Sequence, residues 1–200
     1  MKVLDYGCGA GTIALYIANK GHRVVGVDVS SLAIRAARKS ARSVGLGDVT
    51  FFELSEFEKS HNGLRFDLII CTEVIEHVRD DKKLLGGLYS KLSGNGTLLL
   101  STPSKNAPLY KLGISRNFDE KVGHLRRYDP SHLTRMLKSC GFKIKEVVKT
   151  EGVVRNSLFL LPHMGVFIKF IRGAISDLVS LVDELSLILG ESDIFIVATK

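Results

Sequence analysis

The feature that most constrains this chain is an alternation. Short apolar runs, each closing on polar or small residues, take turns with segments of helical periodicity through the first two thirds of the sequence. That is the pattern of β-α-β units feeding a parallel sheet, and it sets the expected class as α/β with helices on both faces. Strands are predicted at KVLDY, HRVVGVDV, VTFFEL, FDLIICT, GTLLLST, FKIKEVVKT and the terminal DIFIVATK. With 200 residues, 45% of them apolar, and 4 prolines, the chain can bury a sizeable core as one domain over 1–200.

Helix signals sit between the strands. In SSLAIRAARKSARSVG, Ile34, Ala37, Ala41 and Val44 recur at helical spacing, and Arg35, Arg38, Lys39 and Arg42 face solvent. Asp129 is the expected N-cap of a helix with Pro130 at its first position, ending at Gly141. Residues 104 to 128 lack clear periodicity and are long enough to suggest a functional loop. An apolar helical insertion occupies about 150–192. In it, Ile175, Leu178, Leu181, Val182 and Leu185 form a stripe expected to fold onto protein. The richer apolar stretch from Leu158 to Ile171, bracketed by Arg155, Lys169 and Arg172, admits a substrate lid, a homodimer interface or peripheral membrane contact through 155–190.

Several classes drop out. Cys8, Cys71 and Cys140 are odd in number and far apart, which supports neither a disulfide framework nor a zinc knuckle. No export signal precedes VLDYGCG, and SLFLLPHMGVFIKFI is interrupted by Pro162, His163, Gly165 and Lys169, so a cytoplasmic chain that does not span a membrane is expected. The net charge of +7 permits an anionic partner and says nothing about fold.

The strongest site signal is LDYGCGAGT, a glycine-rich turn directly after the first strand and before a helix. Backbone at Gly7, Gly9 and Gly11 can turn sharply and let a ligand touch the main chain. The spacing is G-x-G-x-G rather than the G-x-G-x-x-G of pyrophosphate sites, which shifts weight away from dinucleotides. Asp28, ending the second strand, is placed to accept hydrogen bonds from both ribose hydroxyls of an adenosine group.

Taken together, LDYGCGAGT, VVGVDVS, FDLIICTEVIEHV and GTLLLSTP resemble the class I S-adenosylmethionine-dependent methyltransferases over residues 2 to about 149, with TEVIEHV most similar to the ubiquinone-pathway O-methyltransferases. The resemblance implies a Rossmann-like seven-stranded sheet, mostly parallel, with DIFIVATK antiparallel between its neighbours. It implies that the glycine loop wraps the methionine part, that Asp5 holds the amino group, and that Thr72 lies beside the methyl donor. The adenine contact falls to Ser55, where relatives carry an acidic residue. A helix usual before the first strand is not seen ahead of residue 2, so either the start codon is misplaced or another element closes the pocket.

Glu73, Glu76 and His77 stand at i, i+3 and i+4, which on a helical turn puts them on one face. Similar enzymes use this pattern as a divalent-metal site, and magnesium is one candidate; the plain alternative is an acidic helix start with His77 packed on the sheet. His77 and His124 are the candidate catalytic imidazoles, His124 as a further ligand or a general base. Arg126 and Arg127 are either anion contacts or simply solvated. Cys8 and Cys71 are expected to be inert.

The expected activity is O-methylation of a small or lipid-like acceptor. Alternatives are RNA ribose methylation through the Glu-x-x-Glu-His motif and a non-catalytic cofactor-fold subunit. A nicotinamide oxidoreductase would share the glycine loop but has no use for TEVIEHV. DNA is not an expected partner, because CTEVIEH stands where base methyltransferases carry an Asn-Pro-Pro-aromatic motif.

Overall fold

The computed structural model describes residues 1–61, 63–153, 157 and 174–200, with side-chain environments at 174–179 left aside. Its centre is a seven-stranded sheet in the order β3-β2-β1-β4-β5-β7-β6. The strands are β1 (Lys2–Tyr6), β2 (Arg23–Asp28), β3 (Val49–Glu53), β4 (Phe66–Thr72), β5 (Leu92–Pro103), β6 (Lys143–Thr150) and β7 (Asp193–Thr199). β1 to β5 run parallel, and β7 is antiparallel to both β5 and β6, as the family resemblance implied.

Side chains alternate across each central strand and divide the core in two. Val3, Val24 and Ile70 join Ala14, Ala18, Ile34, Ala37 and Ala41 on the face covered by α1 (Thr12–Asn19) and α2 (Ser31–Ser43). Leu4, Val25 and Ile69 join Phe57, Leu85, Leu88, Leu133 and Leu137 on the face covered by α3 (Leu54–Ser60), α4 (Asp81–Lys91) and α7 (Pro130–Ser139). The small alanines of α1 and α2 let those helices approach the sheet closely, while the leucines of α4 and α7 fill a deeper space.

The helix signals are realised. Ser30 caps α2 by accepting from Ala33 N–H at 3.2 Å, and Asp129 caps α7 by accepting from His132 N–H at 3.0 Å. Residues 104 to 128 fold into two short helices, α5 (Pro108–Lys111) and α6 (Arg116–Val122).

The end of the insertion departs from expectation. α8 (Ala174–Ser186) leads into a 3-10 turn, Leu187–Leu189, yet Leu181, Val182 and Leu185 are exposed. Its buried residue there is Asp183, because Asp183 and Ser186 accept from Gly152 N–H and Val153 N–H at 3.0 Å each. In the last turns of this helix, polar capping of a neighbouring loop, rather than Leu181, Val182 or Leu185, makes the buried contact. The stretch from Leu158 to Ile171 lies outside the described residues.

Candidate active site

Everything chemical gathers at the C-terminal edge of the parallel strands, where open α/β sheets bind ligands. Gly7, Gly9 and Gly11 all take positive φ, at 82°, 52° and 86°. A Cβ on Gly7 would collide with Val74, and one on Gly11 would lie 2.8 Å from Phe51, whereas Gly9 has nothing within 4 Å. Gly7 and Gly11 are therefore required for close packing, and Gly9 presents bare backbone to open space. Gly7 N–H and Cys8 N–H both donate to Val27 O, which ties the loop to β2.

Gly11 lacks a side chain to cap α1, and Asp5 supplies it by accepting from Ala14 N–H at 3.1 Å. Asp5 is 2% exposed, and burial pushes its pKa up from 3.8 to about 6. Its carboxylate is thus engaged in bracing the loop. Asp28 accepts from Gly9 N–H at 2.9 Å and from Ser30 N–H at 2.8 Å, one through each oxygen, which leaves further lone pairs for a ligand.

Asp28, Gly7, Val29, Leu54, Val74 and Val78 line a cavity of about 390 Å³. Ser55, the residue expected at the adenine contact, stands next to this cavity in sequence. Because α3 begins at Leu54, Ser55 faces solvent and lines no cavity there, and Leu54 stands at the wall instead.

A second cavity, about 460 Å³, opens beside the first, and Glu73 lines both. Thr72 faces this second one, with Ile13, Phe118 and Phe195 as apolar walls. Glu73 itself has φ 55°, an uncommon conformation for a residue with a Cβ. The 3-10 turn that follows covers only Ile75–His77. Glu73 consequently does not share a helical face with Glu76 and His77; its carboxylate accepts from Ser101 Oγ at 2.7 Å. Burial, and next the Glu76 carboxylate, raise its pKa to about 7.

The residues that do converge are Glu76, His77 and His124, whose ligand atoms lie within 4.8 Å of one another. Glu76 is fully buried. One oxygen accepts from Thr102 Oγ1 at 3.0 Å, while Oε1 has no hydrogen-bond partner among the described residues. That orphan oxygen stands 3.9 Å from His77 Nε2 and 4.0 Å from His124 Nε2.

Both imidazoles are anchored through the opposite nitrogen. His77 Nδ1 meets Gly123 O at 3.1 Å, and His124 Nδ1 meets Asp119 Oδ1 at 2.9 Å, which assigns the proton to Nδ1 and the lone pair to Nε2 in each ring. Asp119 in turn receives Arg127 through Nε at 2.8 Å and Nη2 at 2.7 Å. Burial works against the Asp119 charge, yet the bonds from Arg127 and His124 prevail and hold its pKa below the usual carboxylate range. Burial, more than any neighbour, keeps His124 below its ordinary 6.5.

Asp119 is the functional residue that sequence reasoning missed. Of the arginines of the GHLRRYDP segment, Arg127 is buried and held by Asp119, while Arg126 is partly exposed and pairs with Asp81 at 2.9 Å. Cys8 and Cys71 are buried, and burial raises both thiols, Cys8 to about 12, so neither is a nucleophile.

A glycine loop on β1, an acid at the tip of β2, an antiparallel β7 and two joined cavities define a cofactor-dependent group-transfer enzyme on a Rossmann-like sheet. The comparisons name the group. Residues 1–147 match the model of the methyltransferase domain family, to which the chain belongs, and S-adenosylmethionine is its methyl donor. It is 28% identical over 184 residues to the ubiquinone biosynthesis O-methyltransferase of Idiomarina loihiensis, covering 85% of this chain and 72% of that protein. Against the protein of the same name from Paracidovorax citrulli it is 32% identical over 166 residues, covering 78% and 68%. Among solved structures, magnesium protoporphyrin IX methyltransferase from Synechocystis with bound SAH superposes with TM-score 0.66 at 19% identity, over 99% of this chain and 73% of that one. The Haemonchus contortus phosphoethanolamine N-methyltransferase 2 complex with S-adenosyl-L-methionine gives 0.68 at 22% identity, over 100% and 48%. At these identities the two structures speak for the fold.

Proposed function

We propose that this chain O-methylates a small or lipid-like acceptor, with a divalent cation held by Glu76, His77 and His124. The observation that carries the reading is the buried, unpartnered Glu76 Oε1 facing two imidazole nitrogens whose far sides are already anchored. An uncompensated buried carboxylate oxygen is costly, and a cation removes that cost. Two imidazoles and one carboxylate suit manganese, iron, cobalt, nickel or zinc better than the magnesium considered from sequence. Bound there, a cation would lower the pKa of an acceptor hydroxyl.

The chain's own residues do the rest. Asp28 and the glycine loop hold the adenosyl and methionine parts in the first cavity, and the second, walled by Ile13, Phe118 and Phe195, receives the acceptor. The acceptor oxygen forms a bond to the methyl carbon as the carbon–sulfur bond breaks, the sulfonium becomes a neutral thioether, and Glu73, shared by both cavities, takes the hydroxyl proton. Its pKa of about 7 suits that transfer. Positioning donor and acceptor accounts for most of the acceleration.

The relatives' name supports a lipid-like acceptor. Exposed Leu112, Ile114, Ile188 and Leu189, with exposed Lys105 and Lys111 nearby in sequence, support peripheral contact with a membrane from the cell interior. No helix among the described residues is long and apolar enough to cross one.

The test is transfer of an isotope-labelled methyl group from S-adenosylmethionine into cell extract, fractionated as lipid, small molecule, RNA and protein. Label entering the lipid or small-molecule fraction, abolished by chelator and restored by manganese, is the expected result. Label in RNA or protein overturns the acceptor class, and indifference to chelator overturns the cation.

A further inference from the structure

The acceptor cavity has a second polar wall that methyl transfer does not use. Glu151 and Asp193 line it on the side formed by the ends of β6 and β7, and with Glu73 they put three carboxyl groups around one space. Among the described residues no lysine lines the cavity, and the charge of its arginine, Arg127, is already matched by Asp119. The cavity is therefore acidic in a chain whose net charge is +7, against the trend of the whole composition.

Two hydroxyls in the same lining point independently to a ligand. Ser115 and Ser192 are 2% and 1% exposed, and neither Oγ has a hydrogen-bond partner among the described residues. Buried hydroxyls of this kind are normally satisfied, and a missing partner calls for explanation. Glu151 adds a left-handed backbone, φ 54°, at the point where β6 leaves the sheet. A second metal ion does not account for the wall. Among the described residues only Glu76, His77 and His124 bring three ligand atoms within 4.8 Å.

Resting on the assignment of this cavity to the acceptor, we propose that Asp193 and Glu151, with Ser115 and Ser192, form a recognition site for an ammonium group carried by the acceptor. An ammonium offers three donors and one positive charge. It would satisfy carboxylates and hydroxyls together and favour the ionised carboxylates, which an anionic acceptor would oppose. Asp193 is already short of a counter-charge: burial first, then Glu73 and Glu151, push its pKa up to about 7.

Three catechols with matched two-carbon arms provide the probes: dopamine with an ammonium, hydroxytyrosol with a hydroxyl, and dihydrocaffeate with a carboxylate. Their binding is measured by calorimetry on protein loaded with S-adenosylhomocysteine and manganese, and methyl transfer to each is measured separately. Dopamine should bind at least about tenfold more tightly than dihydrocaffeate, with hydroxytyrosol between, as a charge-assisted bond set against a repelled charge requires. Asp193→Asn should shrink that ratio to about threefold or less, and Glu151→Gln should shrink it in the same direction if the first variant folds poorly.

Equal binding of the three, a preference for the carboxylate, or no dopamine binding at millimolar concentration overturns the proposal. Ranked binding without any turnover would instead sink the O-methyl reading and leave the ammonium site standing. Turnover with the ranking reversed would do the opposite.

Discussion

Asp5→Asn should make the protein more stable, and only above a definable pH. Asp5 is buried under the glycine loop with a pKa of about 6, against 3.8 in an unfolded chain. A carboxyl whose pKa is raised by folding binds its proton more tightly in the native state. Its favourable contribution is complete below pH 3.8, declines as pH rises, and is gone above about 6. That difference corresponds to about 3 kcal/mol at pH 8. Asparagine keeps an oxygen to accept from Ala14 N–H while removing the charge, so most of the penalty disappears and a gain of about 1 to 3 kcal/mol is expected at pH 8. Near pH 4 the two proteins should have nearly equal stability. Urea unfolding at pH 4, 6 and 8, with the slope checked for constancy, measures the gap directly. A gap that does not grow with pH, or a variant less stable at pH 8, would falsify the claim that an ionised Asp5 is the strained element of the loop.

Two further outcomes concern the site. Asp28→Ala removes the anchor of Gly9 and Ser30 along with the proposed ribose contacts, and calorimetry with S-adenosylhomocysteine should show affinity falling about 10- to 100-fold; a change under threefold would remove Asp28 from the cofactor's grip. Asp119→Ala leaves His124 without its orienting partner, so the manganese concentration for half-maximal methyl transfer should rise about 10- to 100-fold while cofactor affinity holds. In the unaltered protein methyl transfer should fall as pH drops through about 7, where Glu73 takes up a proton, whereas manganese binding should persist to below pH 6.5, because burial keeps His124 below that value and a protonated imidazole cannot hold a cation. An unchanged manganese requirement in the variant would refute the orienting role.

The fold is readable because each strand's apolar run stops at polar or small residues, and the helix caps at Ser30 and Asp129 are local chemistry. The site is readable only where a contact is local or a motif is dense. His124 finds Asp119 because α6 ends at Gly123, φ 82°, which reverses the chain and lays the imidazole back over the helix. The signal available for that pairing is an acid four residues before a helix-ending glycine, but the stretch from 104 to 128 lacks the periodicity that would reveal a helix for the glycine to end. The helical face expected for Glu73 fails because its left-handed turn depends on Ser101 across the sheet. The exposed Leu181 and Leu185 mark the other limit: periodicity reveals that a helix has an apolar side, but not what that side meets.

The two cavities draw on different stretches of chain. Residues up to Val78 build the first, while the second takes most of its walls from 101–127 and 151–195, with Glu73 as the shared post. With the donor in the first cavity and the acceptor in the second, as proposed, donor handling and acceptor choice are written in largely separate portions of the gene. Under that assignment, drift or engineering confined to the later segments would retarget the enzyme to a new molecule while the machinery that supplies the methyl group is inherited intact.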